Sequence, residues 1–202
     1  MPRASSVRGF SLIELLAVVS ILLIVGAIAV PAFTNTTAQM RVAAAAREVE
    51  RELQTARLRA VQSNRAMRVR FNCPGAGQFR MVEVIGSAFV HAAADASSAA
   101  ATRCDLVAYP HPDTDRSFFA IPNHDGPVRR LPPQVSFAAA QVIEFWPDGT
   151  AHLDTGAGAP WPVIPGDGIT LSLEDNTYGG TLPDALRKTI TVNGLGKITL
   201  SQ

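Results

Sequence analysis

Nineteen consecutive residues, Leu15 to Phe33, carry no ionisable side chain, and Ser20 is the only polar residue among them. A segment that is apolar all round is either deeply buried or placed in lipid. At 1.5 Å per residue, a helix from Phe10 to Phe33 would span roughly 36 Å, enough to cross a bilayer. Arg3 and Arg8 precede it without an acidic neighbour. Positive charge stays on the cytoplasmic side, so the pattern predicts an N-terminus inside and everything after Phe33 outside.

Beyond the polar stretch Thr34-Asn35-Thr36-Thr37 the period becomes that of an amphipathic helix. Val42, Ala46, Val49, Leu53, Ala56 and Ala60 recur at spacings of three and four and predict one buried face. Arg41, Arg47, Glu48, Glu50, Arg51, Glu52, Arg57 and Arg59 fill the other face, which reads as solvated. After Asn64 the period drops to two. Met67–Phe71 and Phe79–Val84 alternate, and further strands are expected at Phe118–Ile121, Val128–Leu131, Val142–Phe145, Ala151–Leu153, Ile169–Leu173, Lys188–Val192 and Lys197–Leu200. Pro147-Asp148-Gly149 and Asn193-Gly194 predict hairpin turns between neighbouring strands. Ala92–Ala101 lacks periodicity and reads as a surface loop or a short helix. The expected fold class is α+β. A long N-terminal helix, membrane-spanning in its first half and amphipathic in its second, packs on an antiparallel β-sheet domain.

Composition narrows this picture only a little. At 202 residues one compact domain is the default, and a net charge of +1 provides no global field toward nucleic acid or acidic lipid. The two cysteines, Cys73 and Cys104, are most simply a disulfide in an oxidising compartment; the alternative is two buried thiols. Closing a loop of about 32 residues would contribute roughly 3–4 kcal/mol on the chain-entropy account. His91, His111, His124 and His152 stand isolated in sequence, with no paired histidines or CxxC spacing, so no metal site is expected. No nucleophile elbow or phosphate loop occurs, and the reading is a non-enzyme without a cofactor.

Three readings compete for the N-terminus. It is a plain anchor, a secretory signal peptide with a small-x-small site at Ala27-Ile28-Ala29, or a segment in which Glu14 has a purpose. The apolar run exceeds the usual h-region of about 7–15 residues. A carboxylate deep in a membrane helix costs about 2.5–3.5 kcal/mol, less near the interface, and neither simpler reading gains from it. The string Gly9-Phe10-Ser11-Leu12-Ile13-Glu14-Leu15-Leu16, behind a short basic leader, resembles the type III signal of type IV pilins and type II secretion pseudopilins. That resemblance implies cleavage by a prepilin peptidase between Gly9 and Phe10, and N-methylation of Phe10. It implies that Glu14 meets the N-terminal amine of a neighbouring subunit and so sets register in a filament. Loss of Arg3 and Arg8 from the eighteen basic residues would leave sixteen against seventeen acidic ones.

Gly26 and Pro31 mark the place where such a helix would kink or loosen, since proline removes a backbone donor and glycine weakens a helix by about 1 kcal/mol. A static membrane kink is the alternative. Ala46–Arg65, the segment Phe145–Thr150 ("FWPDGT") and Ile190–Leu200 ("ITVNGLGKITL") further resemble the GspH/FimT family of minor pilins and H-type pseudopilins. The family resemblance implies a leader (1–9), a filament-core helix (10–33), an amphipathic helix (34–65) and a β-rich extracytoplasmic domain (66–202). The implied location is the inner membrane, in a single pass with a periplasmic domain, and then a pilus or pseudopilus tip. Implied partners are other minor pilins or pseudopilins, the major pilin, the prepilin peptidase and the inner membrane. Some relatives bind DNA through a Gly-Arg-x-Arg tail. The matching positions here are Gly196-Lys197-Ile198-Thr199, with one cation in an acidic C-terminal half, which gives DNA binding little support.

Overall fold

One helix, α1 (Leu12–Ser63), runs through Gly26, Pro31 and the polar stretch Thr34–Thr37. The computed structural model describes residues 11–96, 101–107, 109, 111, 124–139, 141–177 and 184–201. The chain divides into two compact units, Met1–Ala38 and Gln39–Gln202. In the first unit the threonines lie within the helix with their hydroxyls bonding backward: Thr34 to the Pro31 carbonyl at 2.9 Å, Thr36 to Ala32 at 3.0 Å and Thr37 to Phe33 at 2.8 Å. Each hydroxyl is thereby satisfied without leaving the helix. Polar residues here do not end the element.

The second unit holds the rest of α1 and nine strands among the described residues: β1 (Met67–Phe71), β2 (Gln78–Glu83), β3 (Arg129–Arg130), β4 (Val135–Ala139), β5 (Ile143–Phe145), β6 (Ala151–Leu153), β7 (Ile169–Asp175), β8 (Arg187–Val192) and β9 (Ile198–Ser201). They form two antiparallel sheets, ordered β3-β2-β1-β5-β6 and β4-β7-β8-β9. The α+β expectation therefore holds. The expected strand Phe118–Ile121 lies outside the described residues. β4 was not expected: Val135-Ser136-Phe137 is short, follows Pro132-Pro133 and runs into alanines, which have little strand preference.

The apolar stripe expected on the helix is the core. Val42, Ala46, Val49, Leu53, Ala56 and Ala60 are all fully buried, and Ala45 joins them. They pack with Met67, Val69, Phe71, Phe79, Met81, Ile143 and Phe145 of the first sheet and Leu171, Leu173, Ile190 and Val192 of the second. Alanines on this face let the backbone of the helix approach both sheets closely. Phe137 of β4 stacks edge-on against Phe71 (4.9 Å between centroids) and Phe79 (5.9 Å), which joins the two sheets at one end.

The opposite face of the helix is not wholly solvated, which corrects the sequence reading. Glu52 is 6% exposed, with Arg129 3.6 Å away. Burial pushes its carboxyl above the usual range, and Arg129 only partly offsets this. Arg41 pairs with the buried Asp175 at 3.0 Å and Arg59 donates to the His124 carbonyl. The helix is fastened to the sheets by its charges as well as by its alanines.

Candidate functional site

Gly9 and Phe10 lie outside the described residues. Ser11, the first one described, accepts a hydrogen bond on Oγ from the Glu14 backbone N–H at 3.3 Å. Ser11-x-x-Glu14 thus stands at the N-cap and third position of α1, the spacing of a capping box. The side chains from Leu12 through Val25 are all exposed, and the most apolar window has a mean hydropathy of 2.8 with none of it buried. The helix is long and apolar enough to anchor the chain in a membrane by a single pass. A side chain at Gly26 would meet nothing within 4 Å, so crowding within this chain does not explain the glycine.

A second constellation lies within the β-domain, and the sequence reading missed it. β1 is buried on both faces. Register places Arg68 beside Val82 and Glu144, Glu144 beside His152, and Arg70 beside Arg80, on the face away from α1. Arg68 donates to Glu144 Oε2 through Nε (3.2 Å) and Nη2 (2.8 Å), and to the Asp95 carbonyl through Nη1 (3.0 Å). Its guanidinium lies 3.9 Å from the Trp161 ring. The other carboxylate oxygen of Glu144 accepts from the Trp146 indole N–H at 2.8 Å and meets His91 Nε2 at 3.3 Å. Arginine can only donate, so His91 Nδ1 accepts from Arg68 (3.3 Å) and Nε2–H donates to Glu144. Burial pushes the Glu144 carboxyl up, but His91 and Arg68 outweigh this and hold it below its ordinary value.

The network continues through the segment between β2 and β3. Asp95 accepts from the Ile85 N–H (2.9 Å) and lies 3.3 Å from Arg103 Nε. Asp125 accepts from the Glu83 N–H (2.7 Å) and from Arg103 Nη2 (3.0 Å), with Arg80 3.6 Å away. Burial dominates at Asp125 and raises it despite Arg103; burial likewise lowers Arg80, and lowers Arg70 to about 10. Cys73 and Cys104 are joined with 5.2 Å between their Cα atoms. That bond ties the end of β1 to the residue after Arg103, so the crosslink holds the strand and its covering segment together.

Two histidines are therefore not isolated. The side chain of His91 is buried, and His152 is buried as a whole residue. His152 stacks on Trp146 at 3.7 Å, and its Nδ1 faces the Trp161 carbonyl at 2.8 Å. Burial lowers its pKa below the ordinary value. His111 and His124 are exposed, as their surroundings imply, and each touches the network's rim, at the Asp125 carbonyl and at Glu83. Among the described residues no group of three or more His, Cys, Asp or Glu side chains is arranged to hold a metal ion.

The FWPDGT and VNGLGK turns meet at Arg57 of the helix. Arg57 Nε donates to the Gly149 carbonyl and Nη2 to the Leu195 carbonyl, each at 3.1 Å. Gly194 O accepts from the Ala151 N–H at 3.0 Å, linking the sheets at this end. Gly196 has φ +70°, and a Cβ there would stand 2.3 Å from the Gly149 carbonyl. Two turn motifs that are unspecific singly thus form one joint.

Residues 4–30 match the family described as the prokaryotic N-terminal methylation motif. The N-terminal segment of the chain therefore carries a methylation motif. Among solved structures, it is similar to the type IV minor pilin FimU of Pseudomonas aeruginosa strain PAO1, at 17% identity and TM-score 0.42 over 80% of this chain and 88% of that one. It is also similar to the minor pseudopilin EpsH of the Type 2 Secretion System of Vibrio cholerae, at 13% identity and TM-score 0.43 over 80% and 96% of the two chains. No curated protein matches it.

Proposed function

We propose that this chain is a minor subunit of a type IV pilus, or the H-type minor pseudopilin of a secretion pseudopilus, and that it helps prime or cap assembly at the tip. The observation that carries this reading is the N-terminal methylation motif at residues 4–30, continuous with an exposed apolar helix whose first turn holds Glu14. A membrane peptidase cuts between Gly9 and Phe10, and Phe10 is methylated. Residues 10–33 then anchor the subunit and later enter the filament core, while the domain stays periplasmic and carries no catalysis. Gly26 and Pro31 make the segment between them pliable. The open space around Gly26 supports a role facing a neighbouring subunit or in bending, rather than in packing within this chain.

Intact mass of the chain purified from its host tests the processing step. A mature terminus at N-methylated Phe10 is the expected result; a terminus at Val30 restores the signal-peptide reading and removes the filament role. Glu14→Ala tests register. The carboxylate lies in the apolar helix, so its loss leaves the β-domain folded and lowers a cost of insertion. The expected outcome is normal membrane insertion with impaired co-purification with the other minor subunits. Wild-type assembly of the alanine variant would show that Glu14 only snorkels to the headgroups, and the register role would fall.

A further inference from the structure

β9 ends the second sheet, with β8 on one side and no strand on the other among the described residues. Lys197 spends its carbonyl on the Asn193 N–H inside the β8–β9 turn. Strand alternation then turns Thr199 and Ser201 toward β8, and directs the N–H and C=O groups of Ile198 and Leu200 outward. Protected edge strands are very short, are covered by a helix or loop, or carry a charge, a proline or a bulge. Ile198-Thr199-Leu200-Ser201 is short but carries no charge, proline or bulge.

Part of α1, from Gln54 to Val61, lies alongside this edge. Ile198 and Leu200 are only partly covered, and Leu58 and Val61 of α1 are 56% and 50% exposed although they border the core stripe. Leu58, Val61, Leu195 and Ile198 line an open groove of about 480 Å³. Among the described residues the charged ones lining it are Arg57 and Lys197, with no carboxylate, and neither cation forms an ion pair there. The groove has an unpaired backbone ladder on one wall, an apolar floor and positive charge at one end.

We propose that β9 accepts an added strand from a partner protein. The strand is an extended segment with alternating apolar side chains lying on Leu58 and Val61, and an acidic end beside Lys197 and Arg57. Backbone pairing with Ile198 and Leu200 gives the affinity, and the apolar row and the carboxylates give the specificity. A second copy of this chain is a poorer fit, because its own β9 brings another Lys197 and no carboxylate. The inference stands apart from the filament role: failure of processing at Phe10 leaves it intact, and its failure leaves the processing intact.

The test uses the full chain in detergent micelles and three labelled octapeptides. One alternates valine and threonine and ends in two glutamates, one ends in two lysines instead, and one has the first composition with its valines grouped. We expect the acidic alternating peptide to bind by fluorescence anisotropy, roughly tenfold or more tighter than the other two. It should slow amide exchange at Ile198 and Leu200 but not at Thr199. Val61→Asn should weaken it without changing the exchange of the core strands, and Lys197→Glu should reverse the preference toward the lysine peptide. Equal binding of all three peptides, or unchanged exchange at Ile198 and Leu200, overturns the proposal. So does concentration-dependent dimerisation that Val61→Asn abolishes, or a single-stranded oligonucleotide that slows the same two amides while the acidic peptide does not.

Discussion

Arg68 touches a carboxylate, a carbonyl, an imidazole and an indole face while fully buried. A buried ion pair is weak evidence of net stability, but removing one partner strands the other charge in a poor dielectric. Arg68→Met should therefore cost about 3–5 kcal/mol in urea unfolding. Glu144→Gln in the same chain should recover more than half of that loss, because the amide oxygen still accepts from the Trp146 indole while the stranded charge is gone. Additive losses in the double variant would mean that packing around Arg68 matters more than its charge. The joint at Arg57 is less sheltered. Arg57→Ala should cost about 1–2 kcal/mol by releasing two carbonyls from a charged donor, visible as a lower urea midpoint.

The same residues set a dependence on pH. Glu144 titrates below its ordinary value of 4.5 when folded, so its contribution is present above that value and lost as pH falls through the lowered one. His152 titrates below 6.5 when folded, so the unfolded chain takes up its proton first, and stability falls as pH drops below about 6.5. Asp125 and Glu52 are raised and act in the opposite direction at acid pH. Melting temperature should therefore decline between pH 6.5 and 5, ahead of the carboxylate range, and His152→Asn should flatten that part of the curve. An unchanged slope in the variant would assign the decline to another group.

At the scale of elements, periodicity was a good guide wherever one physical force acted alone. The stripe from Val42 to Ala60 is buried because an amphipathic helix has one way to hide its apolar side. The expected strands fall within a few residues of those found, apart from Phe118–Ile121, which the described residues do not reach. β1 shows the limit. Its alternation of Met67, Val69 and Phe71 with Arg68 and Arg70 is that of a strand with one wet face, yet both faces are dry. Period-two patterning reports only that the two faces differ. Asp95, Arg103 and Asp125, far along the chain, turn the polar face into an interior one. The crosslink from Cys73 to Cys104 holds that cover in place, so reducing it should lower stability by roughly 3–4 kcal/mol. Exchange at the Glu83 and Ile85 amides, which Asp125 and Asp95 bind, should rise before exchange in β7 and β8. Simultaneous loss of protection in both sheets would show that the crosslink stabilises the whole domain instead of the cover.

For the molecule as a whole, the sequence alone determined what depends on composition along a short stretch. The apolar run, the two arginines before it, Gly9-Phe10 with Glu14 four residues on and the helical stripe are all readable because each is a pattern among neighbouring residues. The α+β class follows from the change of period at Asn64. Tertiary structure alone decided the pairing of distant groups: Arg68 with Glu144, Arg57 with the carbonyls of Gly149 and Leu195, and the split of the described strands into two sheets. It also decided that β9 ends its sheet among the described residues, beside Leu58 and Val61, since strand order is set by packing and not by strand sequence. The physical reason is that a side chain's polarity is local, whereas what covers it, water or an opposite charge from another segment, is settled only when the chain has closed on itself.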